Sequence, residues 1–211
     1  MSTPESDHHH DVDQPDWEAA YAGDAPVWSG RPNQALVDEI ADLAPGRALD
    51  VGCGEGADAI WLADRGWRVT AIDVATTALE RARSAAESAG VNVEWRASGL
   101  VELVDRDAAF DLVTLFYPAL RRSAGGDAEA ALLGSVAPGG TLLVVHHADV
   151  DREVALSHGF DPEHYVGHDH VVAALGDGWA IERDEVRERD LVPGPGAHHH
   201  RDLVLRARRL A

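Results

Sequence analysis

The sequence has no lysine. All 18 basic residues are arginine, set against 37 aspartates and glutamates. The formal net charge of −19 repels both a phosphate backbone and an anionic lipid surface, which argues against nucleic acid and membrane as partners. There is a single cysteine, Cys53, so no internal disulfide can form, in keeping with a reducing compartment. Long apolar runs are also missing. The longest, such as Thr141 to Val145, have the length of a strand and fall far short of the roughly 20 residues a helix needs to cross a bilayer. The start, Met1-Ser2-Thr3-Pro4-Glu5, lacks the basic and apolar stretches of a secretory signal. Together these absences predict a cytoplasmic protein.

What is present suffices for one α/β domain with a real core: 211 residues, 45% of them hydrophobic. Residues 1–14 are polar, with His8-His9-His10 among them, and read as a disordered acidic tail. Residues 15–211 form the predicted domain, divided into N-terminal helices over 15–45 and a core over 46–211. Asp16 is a plausible N-cap for a short helix carrying Trp17 and Tyr21, and Asn33 for a helix with Leu36, Val37, Ile40 and Leu43 at helical spacing. Strands are predicted at 48–51, 68–74, 91–95, 110–116 and 141–146. Helices at 57–65, 76–89 and 127–136 separate them, so the sheet should be mainly parallel and covered on both faces. After a short helix near His170, the segments 179–188 and 201–208 alternate like strands. Pro193-Gly194-Pro195-Gly196 between them leaves no room for a crossover helix, so this last pair should be antiparallel.

The strongest chemical signal is Leu49-Asp50-Val51-Gly52-Cys53-Gly54-Glu55-Gly56. A strand feeds a turn with glycine at alternate positions, and a helix follows at once. Glycine suits a tight turn that approaches a ligand closely, and the new helix presents free N–H groups and a positive dipole end. The run Gly52 to Ala57 also fits a dinucleotide fingerprint, and Asp73 ends the second strand where an acid would hold a ribose diol in either case. Two features separate the readings. Asp50, just before the glycines, can meet a ligand's ammonium group but would repel a pyrophosphate. The antiparallel C-terminal pair is unusual for a dehydrogenase.

Over Arg47 to His147 the chain resembles the core of class I S-adenosylmethionine-dependent methyltransferases. Asp50 to Gly56 matches the first motif of that family, and Ala71-Ile72-Asp73-Val74 its ribose-binding strand end. Phe110 to Val113 resembles its fourth strand, and Ala137 to Val145 its fifth. The resemblance implies a Rossmann-like three-layer α/β sandwich with a seven-stranded sheet in the order 3-2-1-4-5-7-6, strand seven antiparallel, behind an N-terminal helical lid. Trp17 to Tyr21 followed by Val27 to Asn33 further resembles the lid of the thiopurine and tellurite-resistance methyltransferases. That likeness implies a soft acceptor atom, with sulfur, selenium, tellurium or a heterocyclic nitrogen favoured over oxygen. The implied cofactor contacts are Trp28, Arg31, Asp50, Gly52, Cys53, Gly54, Asp73, Val74, Ser98, Gly99, Leu100 and Phe116. Where the family usually carries an acid for the adenine amino group, this chain has Ser98, which can accept one uncharged hydrogen bond.

Histidine is concentrated at His146-His147, His158, His164, His168, His170 and His198-His199-His200. In the implied sheet order the start of the last strand lies beside the end of the fifth, which brings the first and last of these groups together at the edge where ligands bind. Three readings compete: solvated surface histidines, a general base or orienting partner for substrate, and a metal site. No metal is expected, because the spacing matches no metal motif. His146, His147 and Tyr117 are the candidate catalytic residues, and Trp17, Tyr21 and His199 the candidate substrate lid. The expected reaction is methyl transfer from S-adenosylmethionine to a small-molecule acceptor, leaving S-adenosylhomocysteine, carried out by a monomer or weak homodimer. The alternatives are an NAD(P)-dependent oxidoreductase and a non-catalytic S-adenosylmethionine-binding protein.

Overall fold

The computed structural model describes residues 16–23, 25–103, 109–157, 160–189 and 199–211. The expected tail over 1–14, His158, Pro193 to Gly196 and His198 lie outside these. Two short helices come first. Helix α1 (Trp17–Ala20) is capped by Asp16, whose Oδ1 accepts from the Ala19 N–H at 3.0 Å. Helix α2 (Gln34–Glu39) is capped by Asn33, whose side chain accepts from the Ala35 N–H at 3.1 Å. The apolar spacing that predicts a longer helix, through Leu43, is overridden at Glu39, because the Arg206 guanidinium donates to the Glu39 carbonyl at the helix end. Leu36 and Ile40 are buried all the same.

Strand and helix then alternate: β1 (Arg47–Val51), α3 (Ala57–Asp64), β2 (Arg68–Asp73), α4 (Thr76–Ala89), β3 (Glu94–Ala97), α5 (Leu100–Leu103), β4 (Phe110–Phe116), α6 (Asp127–Gly134), β5 (Val136–His147), α7 (Arg152–Ser157), α8 (His168–Ala174), β6 (Trp179–Glu188) and β7 (Arg201–Arg209). Helix α4 turns Ala78, Leu79, Ala82 and Ala86 to the core, one face of a 3.6-residue period, and Gly90 ends it with a left-handed φ of 71°. Strand β3 therefore begins later than the 91–95 expected from its apolar residues. The Val91 N–H still bonds the Ala86 carbonyl at 3.1 Å, and pairing with β2 starts at Glu94, opposite Thr70. Strand β5 begins earlier than expected. Pro138-Gly139-Gly140 reads as a break, but Gly139 at φ 78° lets the chain bulge and continue, so Val136 already pairs with Phe110.

The sheet has seven strands in the order β3-β2-β1-β4-β5-β7-β6, with β7 antiparallel to both neighbours. The expected architecture is borne out, including the antiparallel C-terminal pair. Leu49, Val51, Val113, Leu115, Leu142, Val144 and Leu205 pack on one face of the sheet. Ala48, Leu112, Leu143, Val145 and Val204 pack on the other, with Leu36 of α2 and Ala59 and Leu62 of α3. Every ligand-facing turn thus leaves the carboxyl ends of β1, β2, β4 and β5 at one edge, where the sheet order reverses. Among the described residues, no helix is long and apolar enough to cross a membrane.

Candidate active site

The turn from β1 into α3 holds three glycines at positive φ: Gly52 at 70°, Gly54 at 52° and Gly56 at 82°. The Gly52 and Cys53 N–H groups both bond the Ile72 carbonyl, at 2.9 and 3.0 Å, which ties the turn to the end of β2. Asp73 closes that strand. Its Oδ2 accepts from the Gly54 N–H at 2.8 Å and its Oδ1 from the Ala75 N–H at 2.9 Å. Burial raises its pKa above the usual carboxylate value.

Asp50 lies beneath the turn and is 3% exposed. The Thr114 hydroxyl donates to its Oδ1 at 2.9 Å, whereas Oδ2 is buried with no hydrogen-bond partner. Burial, reinforced by the nearby Asp58 carboxylate, pushes the Asp50 pKa up to about 8. A lone buried carboxylate oxygen fits an ammonium group and would repel a pyrophosphate, which is the distinction expected of Asp50 from the sequence. One pH dependence follows. A ligand ammonium favours the ionised carboxylate, so binding should release a proton below pH 8. Affinity should then rise between pH 6 and 8, by at most tenfold per unit. Calorimetry in buffers of different ionisation enthalpy measures that proton directly, and pH-independent affinity across this range would count against it.

The N-terminal segment is fastened over the turn by residues the sequence reading did not single out. The Glu55 carboxylate accepts from the Val27 and Trp28 N–H groups, at 3.1 and 2.9 Å, and pairs with Arg81 at 2.7 Å. Arg81 also donates to the carbonyls of Tyr21, Gly23 and Ala25. Glu18 accepts from the N–H groups of Thr76 and Thr77 at the start of α4, which has no side-chain cap of its own. Trp28 Nε1 donates to the Tyr21 hydroxyl at 2.9 Å, and both aromatics sit directly over Gly54. The only sequence hint of this fastening was charge: Glu55 inside a glycine turn, and Arg81 on the helix that follows the next strand.

A cavity of about 970 Å³ runs along this edge. Each residue expected to contact the cofactor lines it, from Trp28 and Arg31 through Asp50, the Gly52–Gly54 turn, Asp73 and Val74 to Ser98, Gly99, Leu100 and Phe116. Trp17, Tyr21, Tyr117, His147 and His199 line it too. His146 does not. Successive residues of a strand point to opposite faces, so His146 turns away from the cavity and its Nε2 lies 3.1 Å from the Val166 carbonyl. Burial there pulls its pKa down to about 4. Of the two histidines expected as a base, only His147 lines the cavity. Ser98 donates its hydroxyl proton to the Gly99 carbonyl at 2.9 Å, which leaves its oxygen able to accept. We expect Ser98→Ala to weaken cofactor binding by less than tenfold in calorimetry; complete loss would refute that.

At the far end of the cavity the two histidine groups meet as the sheet order implies. The His147 ring stacks on Tyr117 with centroids 4.2 Å apart and on His199 at 4.0 Å. Asp202, 6% exposed, accepts from the Tyr117 hydroxyl at 2.8 Å and lies 3.4 Å from His147 Nδ1. Asp202 was also missed from sequence. It stands opposite His147 of β5 in the strand register, which only the structure shows. Among the described residues, no group of three or more His, Cys, Asp or Glu is arranged to hold a metal.

Comparison with known proteins agrees with this geometry. Residues 48–140 match the family described as a methyltransferase domain. Over 179 residues the chain is 28% identical to the 2-heptyl-1-hydroxyquinolin-4(1H)-one methyltransferase of Mycobacteroides abscessus, covering 79% of this chain and 77% of that protein. Ubiquinone biosynthesis O-methyltransferases match over shorter stretches, so that the chain spans only 34% and 45% of the length of two of them. Among solved structures, one reported under the conversion of a disulfide bond into a thioacetal group during echinomycin biosynthesis is 26% identical. It superimposes with a TM-score of 0.70 over 92% of both chains. The N-methyltransferase NodS of Bradyrhizobium japonicum WM9, in complex with S-adenosyl-l-homocysteine, shares the fold at 22% identity. It has a TM-score of 0.66 and covers 91% of this chain and 95% of that one.

Proposed function

We propose that this chain is an S-adenosylmethionine-dependent methyltransferase of the class I fold and that it methylates a small, flat organic acceptor. The observation that carries the reading is the continuity of the cavity, which joins the glycine turn with Asp50 and Asp73 to the Tyr117–His147–His199 stack. A protein that only sensed the cofactor would need the first half of that space and not the second. The Mycobacteroides abscessus relative is named for a heterocyclic substrate, which supports an acceptor of that size and shape. Kinship with the thiopurine and tellurite-resistance group rests on the lid sequence alone.

Within this reading each residue has a physical task. Asp50 meets the amino-acid ammonium with its unpartnered Oδ2, and Asp73 takes the ribose hydroxyls. Trp17, Tyr21 and Trp28 close over the turn and exclude water. S-adenosylmethionine supplies the methyl group on an already activated sulfonium, so the protein's main contribution is alignment of the acceptor within roughly 3–3.5 Å of the methyl carbon. Phe116 forms the wall against which a flat acceptor lies, and the stacked His147 ring presents its edge to it.

The test is calorimetry with S-adenosylmethionine and S-adenosylhomocysteine, with NAD and NADP alongside. Micromolar binding of the first pair, followed by turnover in a screen of small aromatic acceptors, is the expected result. Preference for the nicotinamides would remove the reading.

A further inference from the structure

We propose that His147, oriented by Asp202, is the general base of this site, and that the methyl acceptor is therefore a hydroxyl group on a small aromatic or heteroaromatic ring; this rests on the methyl-transfer reading above. The argument begins with two orphaned atoms. His147 Nδ1 and Asp202 Oδ1 are each buried without a well-formed hydrogen bond, and they face one another at 3.4 Å. A proton on Nδ1 directed at Oδ1 satisfies both, and a buried carboxylate is the partner that fixes this tautomer. Nε2 on the opposite side of the ring then carries the free lone pair.

The surroundings fix the ring as well as its tautomer. Tyr117 covers one face of the imidazole at 4.2 Å and 22°, and His199 covers the other at 4.0 Å and 16°. With both faces covered, only the ring edge is open to an acceptor, and an edge-on approach is a hydrogen bond to Nε2. The support is built at a cost. Tyr117 is the only non-glycine among the described residues at positive φ, 46°, a conformation that costs about 1–2 kcal/mol for a side chain of this size. That backbone lets its N–H reach the Val145 carbonyl at 2.8 Å while its hydroxyl bonds Asp202 Oδ2 at 2.8 Å. Arg189 stands over the Tyr117 ring at 5.0 Å. The charged and titratable groups around His147 are thus Asp202 of β7, His199 just before that strand, Tyr117 just after β4, and Arg189 beyond it.

A thiol, selenol or tellurite acceptor ionises or reacts without help, so a held base adds little there. A hydroxyl needs one. In the proposed step His147 Nε2 takes the hydroxyl proton as the oxygen's electron pair forms the bond to the methyl carbon. The carbon–sulfur bond breaks with its pair going to sulfur, leaving a methyl ether, S-adenosylhomocysteine and an imidazolium paired with Asp202. The imidazolium returns its proton to water. The preference for soft acceptor atoms implied by the lid thereby gives way to oxygen.

The first measurement needs no acceptor. In protein labelled with ¹⁵N-histidine, the His147 signals are identified by their loss in His147→Gln. In alkaline buffer they should report a proton on Nδ1 and a bare Nε2. Asp202→Asn should redistribute that proton while leaving S-adenosylhomocysteine affinity within threefold. With 2-heptyl-1-hydroxyquinolin-4(1H)-one as the acceptor probe, and thiophenol for contrast, His147→Gln should lower kcat for the hydroxyl probe by about 100-fold or more. The KM for S-adenosylmethionine should not change, and rising pH should partly restore the rate. A proton on Nε2 in the parent protein would overturn the proposal, as would methylation of thiophenol with none of the hydroxyl probe. Absence of S-adenosylhomocysteine binding would instead remove the underlying reading, and this proposal with it.

Discussion

Replacing Asp73 by alanine is expected to lower the affinity for S-adenosylmethionine and S-adenosylhomocysteine by 100-fold or more. The carboxylate ends β2 at the lip of the glycine turn, with both oxygens already held by backbone N–H groups, from Gly54 at 2.8 Å and Ala75 at 2.9 Å. Those bonds fix its direction before any ligand arrives, so no ordering cost is left for the binding step. Two charge-assisted hydrogen bonds to a ribose diol contribute about 1.5–3 kcal/mol each. Loss of even one exceeds a tenfold effect, and loss of both reaches 100-fold with a margin. The Gly54 and Ala75 N–H groups can turn to water in the variant, so the melting temperature should fall far less than the affinity. Calorimetry with S-adenosylhomocysteine beside a thermal melt makes the check. Affinity within threefold of the parent would mean that Asp73 serves the turn and not the ligand.

The second large effect is on stability. In Gly56→Val, the first carbon of the new side chain would lie 2.5 Å from Trp95 Cη2 and 2.9 Å from the Ala82 methyl, on a backbone at φ 82°. Ala82 is fully buried and cannot move aside, whereas the half-buried Trp95 ring on the edge strand can yield only part of the space. The left-handed backbone costs about 1–2 kcal/mol and the overpacking about 1–3 kcal/mol. For a chain of this size that should lower the melting temperature on the order of 10 °C. Gly52 is the control. Its φ of 70° carries the same strain, but an added methyl meets nothing within 4 Å. Gly52→Ala should therefore melt only a few degrees lower. Because that open space faces the cavity, its loss should appear mainly in cofactor affinity. Equal melting temperatures for the two variants would mean that contact with Trp95 and Ala82 is not what the third glycine avoids.

Much of this site could be read directly from the chain because its signals are local. The alternate glycines, the acid before them and the acid ending the next strand lie within 24 residues, Asp50 to Asp73. Each follows from a turn, a strand end or a cap, and the structure sets all of them around one cavity. Errors arose where distant groups overrode local preference. Helix α2 stops early because Arg206, from the last strand, takes the Glu39 carbonyl. Strand β5 runs through Pro138-Gly139-Gly140 because Phe110 of the neighbouring strand is there to pair with Val136. Neither partner is visible from the sequence around the break.

The histidines mark the boundary between the two kinds of knowledge. Sheet order, inferred from the sequence pattern and its resemblance, was enough to bring His147 and His199 to the same edge. Sequence could not choose between His146 and His147, since neighbours on one strand have the same composition around them and differ only in which face they meet. It could not identify Asp202 as the carboxylate opposite His147, or the lid anchors Glu55 and Arg81, because pairing across strands and helices depends on register in three dimensions. Local chain chemistry therefore determined the alternation of strand and helix and the glycine-turn end of the cavity, and the resemblance supplied the sheet order. Which histidine faces the cavity, and what holds it there, was decided by the tertiary structure, through the two-residue period of a strand and the partner set opposite it.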